Sequence, residues 1–145
     1  MMTAKPEVVI LACQQALPEA GPLVQALEAA GLKARAVPEP CSSKIEAFHL
    51  LRILAVEADV VWVLACPEDA CLLREGSYRL GKRLEHAREV LREIGLEPER
   101  LELTRLTPGE AVDFHRLAAD MASLARTLGL NPGRRGPKEK KEHLK

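Results

Sequence analysis

The sequence predicts an α/β fold, a small doubly wound sheet of four parallel strands with helices on both faces. Two continuous apolar runs rich in β-branched residues, Val8–Ala12 and Val60–Ala65, suit strands that are buried on both sides, as a helix-covered parallel sheet requires. Segments with apolar residues three and four apart separate these runs and follow them, so strands and helices alternate.

The elements follow in order. The first strand is expected near residues 7–12, ending at Cys13, and Pro18 opens a helix with Leu23, Val24 and Leu27 on one face. Gly31 stands where a left-handed C-terminal cap belongs. A weaker strand fits 33–37. Ser43-Lys44-Ile45-Glu46 then reads as a capping box that opens a second helix running to about Glu57. The third strand is expected at 59–65. Helix three spans Tyr78 to Ile94, with Leu80, Leu84, Ala87, Leu91 and Ile94 on its buried stripe and Gly95 as its stop. The last strand, 100–106, places Leu101, Leu103 and Arg105 on one face. Thr107-Pro108-Gly109-Glu110 caps a fourth helix whose stripe is Phe114, Leu117, Ala118, Met121, Ala125 and Leu128. Right-handed crossovers would wind these units into the strand order 2-1-3-4, a flavodoxin-like arrangement with the first and third strands at its centre.

The length of 145 residues suits one domain, placed at 1–130. From Asn131 onward six basic residues stand against two acidic, net +4, with two prolines, two glycines and one large apolar residue, so 131–145 reads as a disordered basic tail. Lys and Arg total 21, matching 21 for Asp and Glu, which leaves no overall field to gather nucleic acid or an anionic membrane. Aromatics at 3% argue against a stacking platform. The longest fully apolar run, Val60–Cys66, is too short to span a bilayer. Ile10-Leu11-Ala12-Cys13 resembles a lipoprotein cleavage site, but Glu7 precedes a stretch too short for a signal peptide, so a cytoplasmic location is expected.

In that compartment clustered cysteines point to metal or redox chemistry rather than structural disulfides. All four cysteines map to the carboxyl ends of the strands, where ligand sites form in open α/β sheets. Cys13 ends the first strand, Cys41 precedes the second helix, Cys66 ends the third strand, and Cys71 follows in a C-x4-C loop. Structural zinc favours paired C-x2-C knuckles, and a thioredoxin-like pair also needs C-x-x-C; neither is present. An iron–sulfur cluster tolerates separations as unequal as 28, 25 and 5 positions, so spacing ranks a cluster above zinc, and both above a disulfide. No glycine lies between Cys13 and Pro18, which argues against a phosphate-binding loop for a nucleotide cofactor.

Cys66-x4-Cys71-x3-Glu75-Gly76-Ser77-Tyr78, then Lys82-Arg83 and Gly95-Leu96-Glu97-Pro98-Glu99-Arg100, together resemble the iron–sulfur delta subunit of methyl-viologen-reducing hydrogenase. The likeness covers about residues 7–128, and Cys41-Ser42-Ser43-Lys44 matches the family's Pro-Cys-Ser-Gly-Arg segment. The resemblance implies a [2Fe-2S] cluster on Cys13, Cys41, Cys66 and Cys71. It also implies a protein that carries electrons without catalysing a reaction of its own. Its partners would be a hydrogenase or dehydrogenase module and a heterodisulfide-reductase-like flavoprotein subunit. The alternatives are a clusterless docking or scaffold module of the same complex and a structural zinc-binding domain. The chain departs from the family at Ala16, where a C-x-x-C motif has its second cysteine, at Pro67 and Leu72 in place of loop histidines, at Leu73 in place of tyrosine, and at Ser43 in place of glycine. A carrier should expose Leu72, Leu73 and Tyr78 beside its cluster for docking.

Arg74, Arg79, Lys82, Arg83, Arg88 and Arg92, interleaved with Glu85, Glu89 and Glu93, read as a solvated helix face, with the first residues available to offset cluster charge. His49, His86 and His115 share no spacing that suggests a metal or a catalytic pair.

Overall fold

The computed structural model describes residues 5–40, 44–67, 76–107 and 109–134. Along the chain it has β1 (Glu7–Cys13), α1 (Gly21–Ala29), β2 (Lys33–Glu39), α2 (Ala47–Val56), β3 (Val60–Ala65), α3 (Gly76–Glu93), β4 (Leu101–Arg105) and α4 (Phe114–Leu128). The strands form one all-parallel sheet in the order β2-β1-β3-β4, as expected for the doubly wound α/β class.

The apolar runs are continuous because both faces of the central pair are covered. Val8, Ile10, Ala12, Val60, Trp62 and Leu64 pack beneath α1 and α4, against Leu23, Leu27, Leu117 and Met121. The alternate residues Val9, Leu11, Val61 and Val63 pack beneath α2 and α3, against Leu50, Ile53, Leu80, Leu84 and Leu91. Each such side chain contributes about 1.5–3 kcal/mol on burial, so a polar residue at either parity would lose a core contact.

Two helices end in the same way. After α1, Gly31 at φ +91° lets its N–H meet the Glu28 carbonyl while the Leu32 N–H reaches Leu27. After α3, Gly95 at φ +85° does the same with Arg92, and the Leu96 N–H reaches Leu91. Both are six-to-one glycine caps, and the residue after each glycine turns back onto the core. This corrects the expected stripe of α3: Ile94 is 64% exposed, and Leu96 packs against the inner cluster in its place.

The helix starts differ from expectation. The first helix begins at Gly21 with Pro22 in its opening turn, because residues after Cys13 form a separate turn and Pro18 lies outside the helix. α2 begins at Ala47, so Glu46 is its N-cap residue and not the third residue of a capping box; Ser43 lies outside the described residues. α4 is capped not by Thr107 but by Asp113, whose carboxylate accepts from the Arg116 N–H at 3.1 Å.

At the amino edge of the sheet a polar cluster closes the fold. Arg100 is 1% exposed and donates to Glu97 Oε1 at 2.8 Å and to the carbonyls of Asp59, Leu128, Gly129 and Leu130 at 2.9–3.3 Å. It thereby holds the carbonyl-rich end of α4, where a cation is also favoured by the helix dipole. Asp59, likewise 1% exposed, accepts from the N–H groups of Glu7 and Asn131 at 2.7 and 2.9 Å and from Arg134 at 3.3 Å. Asn131 is buried and donates from its side-chain amide to the Leu54 carbonyl, while Arg134 also pairs with Glu7 at 2.9 Å. Asn131–Arg134, which composition assigns to the tail, are therefore anchored to the domain by specific hydrogen bonds. The remainder of the expected tail, 135–145, lies outside the described residues.

Candidate metal centre at the carboxyl edge of the sheet

Cys13 is the last residue of β1 and Cys66 follows the last residue of the neighbouring strand β3. Because the two strands are parallel and in register up to Ala12 opposite Leu64, both sulfurs emerge at the same edge. Their Sγ atoms are 4.0 Å apart, and each residue is 2% exposed. The chain after Cys13 turns tightly, with the N–H groups of Ala16 and Leu17 both donating to the Cys13 carbonyl at 3.0 and 2.9 Å. That turn brings Ala16 into a small apolar nest with the two cysteines, closed on one side by Leu106. Leu106 is itself held by an N–H bond of 2.7 Å to the Ala65 carbonyl.

Beyond Leu106 lies an open cleft of ≈ 280 Å³ between the end of β4 and the start of α4, lined by Arg105, Thr107, Asp113 and Arg116 among others. Cys13 and Cys66 are thus shielded from bulk water but only one side chain removed from it.

Of the four cysteines expected at the site, Cys13 and Cys66 are brought together, while Cys41 and Cys71 lie outside the described residues. Among the described residues no group of three or more Cys, His, Asp or Glu side chains is gathered as for a metal ion. Two thiols in contact are a soft-donor pair, and two thiolates on one tetrahedral ion at about 2.3 Å would stand about 3.8 Å apart. The observed separation fits an iron or zinc thiolate centre, whose soft or borderline ion thiolates select.

Tyr78 at the start of α3 is 49% exposed, as expected for a docking residue; Leu72, Leu73 and Arg74 are not among the described residues. Phe48 at the start of α2 is 72% exposed at the same edge, a feature the sequence reading did not single out. The basic residues of α3 do more than cover a solvated face. Arg83 donates to the Ile45 carbonyl at 3.1 Å and pairs with Glu46, which fixes the chain entering α2. Arg88 donates to the Leu101 carbonyl at 2.9 Å and pairs with Glu85 and Glu102, tying α3 to the edge strand β4. Burial pushes the Glu102 carboxyl above its ordinary value, against the pull of Arg88. His86 and His115 are exposed and His49 is half-buried, each on a different helix.

The Arg100–Asp59 cluster was missed in the sequence. Its one local signal is position: Asp59 and Arg100 stand immediately before the buried first residues of β3 and β4, a place where a charge must find partners or break the burial.

No helix among the described residues is long and apolar enough to cross a membrane. The family model described as methyl-viologen-reducing hydrogenase, delta subunit, matches residues 8–129. Relatives include the vhu iron-sulfur subunit of an F420-non-reducing hydrogenase from Methanopyrus kandleri, 32% identical over 66% of this chain and 72% of that protein. The iron-sulfur subunit of an F420-non-reducing hydrogenase from Archaeoglobus profundus is 28% identical over 86% of this chain and 92% of its own length. One subunit of the ferredoxin:CoB-CoM heterodisulfide reductase from Methanosarcina mazei is 28% identical over 66% of this chain but only 12% of its own.

Proposed function

The chain belongs to the methyl-viologen-reducing hydrogenase delta-subunit family, and on that premise we propose that it relays electrons through a [2Fe-2S] cluster held by Cys13, Cys41, Cys66 and Cys71. The observation that carries this reading is the pair of buried thiols, Cys13 and Cys66, in contact at the carboxyl edge of the sheet. The names of the relatives support an iron–sulfur centre in general; four cysteines are the donor number that a two-iron or a four-iron cluster takes, and the two-iron type rests on the resemblance.

Such a cluster, when bound, passes one electron at a time without bond rearrangement in the protein. The chain's own residues supply the rest. β1 and β3 fix Cys13 and Cys66 rigidly, and Ala16 and Leu106 exclude water from their sulfurs, which raises the sensitivity of the potential to nearby charge. Tyr78 and Phe48 offer exposed aromatic surface at the same edge. A partner of heterodisulfide-reductase type is supported by the likeness to a short stretch of a much longer reductase polypeptide, since a unit that occurs inside one polypeptide is suited to dock on it as a separate chain. A hydrogenase or dehydrogenase module is the proposed second partner, and the cytoplasm the proposed location.

One observation favours the clusterless docking module as a second reading. Ala16 occupies the nest beside both sulfurs at the position of the family's second C-x-x-C cysteine, so one sulfur is missing from that corner. Anaerobic purification followed by absorbance spectroscopy separates the two. Visible charge-transfer bands that bleach with dithionite and vanish in Cys66→Ser support the carrier; a colourless chain that still co-purifies with a reductase component supports the docking module.

A further inference from the structure

We infer that Cys13 and Cys66, when no metal holds them, form a reversible disulfide on exposure to peroxide. Their sulfurs stand 4.0 Å apart as unbridged thiols, so a change of about 2 Å closes the bond. Cys13 ends β1 and Cys66 lies one residue past the end of β3, off the ladder, so its side chain need not follow the strand's alternation and turns to meet Cys13.

The chemistry balances with hydrogen peroxide as oxidant. The first thiolate to react attacks one peroxide oxygen, the O–O bond breaks, and a sulfenic acid and water form. The second sulfur then attacks the sulfenic sulfur, expelling its hydroxyl as water, so two sulfurs lose two electrons and peroxide gains them. Burial decides the outcome of the second step. Leu106 packs against the nest that holds both cysteines and lines the adjoining cleft, so rotation of that one side chain admits peroxide to the sulfurs, while burial keeps thiols in bulk solvent from a sulfenic acid formed there. The neighbouring sulfur is in contact, so bridging outruns further oxidation. The consequence rests on the proposed function: a bridge removes two of four ligands, so closure would hold a clusterless chain in a recoverable form.

The test uses the full chain, stripped of metal by chelation under reducing conditions and treated with one equivalent of peroxide. A mass loss of about 2 Da, with a Cys13–Cys66 linked peptide, is expected, and dithiothreitol should reverse it once the chain is opened in denaturant. Cys66→Ser should instead hold a sulfenic acid at Cys13, which dimedone labels once the chain is opened in denaturant. A bridge that maps to any other pair, or wild-type chain that gains oxygen without bridging, overturns the inference. Because the chain is metal-free throughout, failure of the cluster reading leaves this result unchanged, and a cluster in untreated protein does not rescue it.

Discussion

Replacing Arg100 with methionine keeps an unbranched apolar stem and removes the guanidinium that four backbone carbonyls share. Hydrogen bonds from a charged donor contribute about 1.5 kcal/mol or more each, about 6 kcal/mol in all. Two effects reduce the loss. The carbonyls of Leu128, Gly129 and Leu130 are only part-buried and regain water, and the variant no longer desolvates a cation. Glu97 is 47% exposed and stays hydrated without its partner. The expected cost is about 3–4 kcal/mol, or a fall in Tm of about 10 °C for a domain of this size. Urea unfolding should show a lower midpoint at unchanged slope. Hydrogen exchange should show lost protection at the Asn131 and Gly133 amides, which depend on the same corner. Arg100→Lys, with three donors and no planar fork, should recover less than half. A loss below about 1 kcal/mol, or protection at 131 and 133 unchanged, would refute the claim that Arg100 clamps the end of α4.

Thr104→Val removes the acceptor of the Trp62 indole N–H, bonded at 2.8 Å, and should cost about 1–2 kcal/mol by thermal unfolding, read from the fluorescence of the sole tryptophan. Asp113→Ala removes the N-cap of α4 and should cost about 1 kcal/mol, with a matching loss of helical signal on heating. Burial raises the Glu102 carboxyl above 4.5, so the folded chain holds that proton more tightly than the unfolded one. The stability this lends is full below about pH 4 and is lost as pH rises through the folded value. Glu102→Gln, which mimics the protonated form, should therefore gain more Tm over the wild type at pH 7 than at pH 4; an equal or reversed difference would contradict the assignment.

The central strands were legible because a doubly covered strand must be apolar at every position, and the shortness and β-branched content of Val8–Ala12 and Val60–Ala65 favour strand over buried helix. Gly31 and Gly95 were legible for a similar reason, since both adopt a positive φ that side chains resist. Helix starts were not. Pro18, Ser43 and Thr107 each carry a start signal, yet the N-cap places fall at Ala20, Glu46 and Asp113, and of these only Asp113 accepts a hydrogen bond from its helix. Arg100 was the hardest residue to read. It belongs to a run of charged residues that looks solvated, and only the return of α4 and residues 128–131 to the amino edge of β4 makes it a core residue. At the candidate site, convergence of Cys13 and Cys66 followed from strand order alone, because adjacent parallel strands deliver their ends to one edge.

Iron and acid-labile sulfide counted per chain in anaerobically purified protein test the central claim most directly. The account expects two irons and two sulfides, falling below a tenth of that in Cys13→Ser without loss of fold. One zinc per chain without sulfide, or full iron and sulfide retained when Cys13 and Cys66 are both serine, would contradict it.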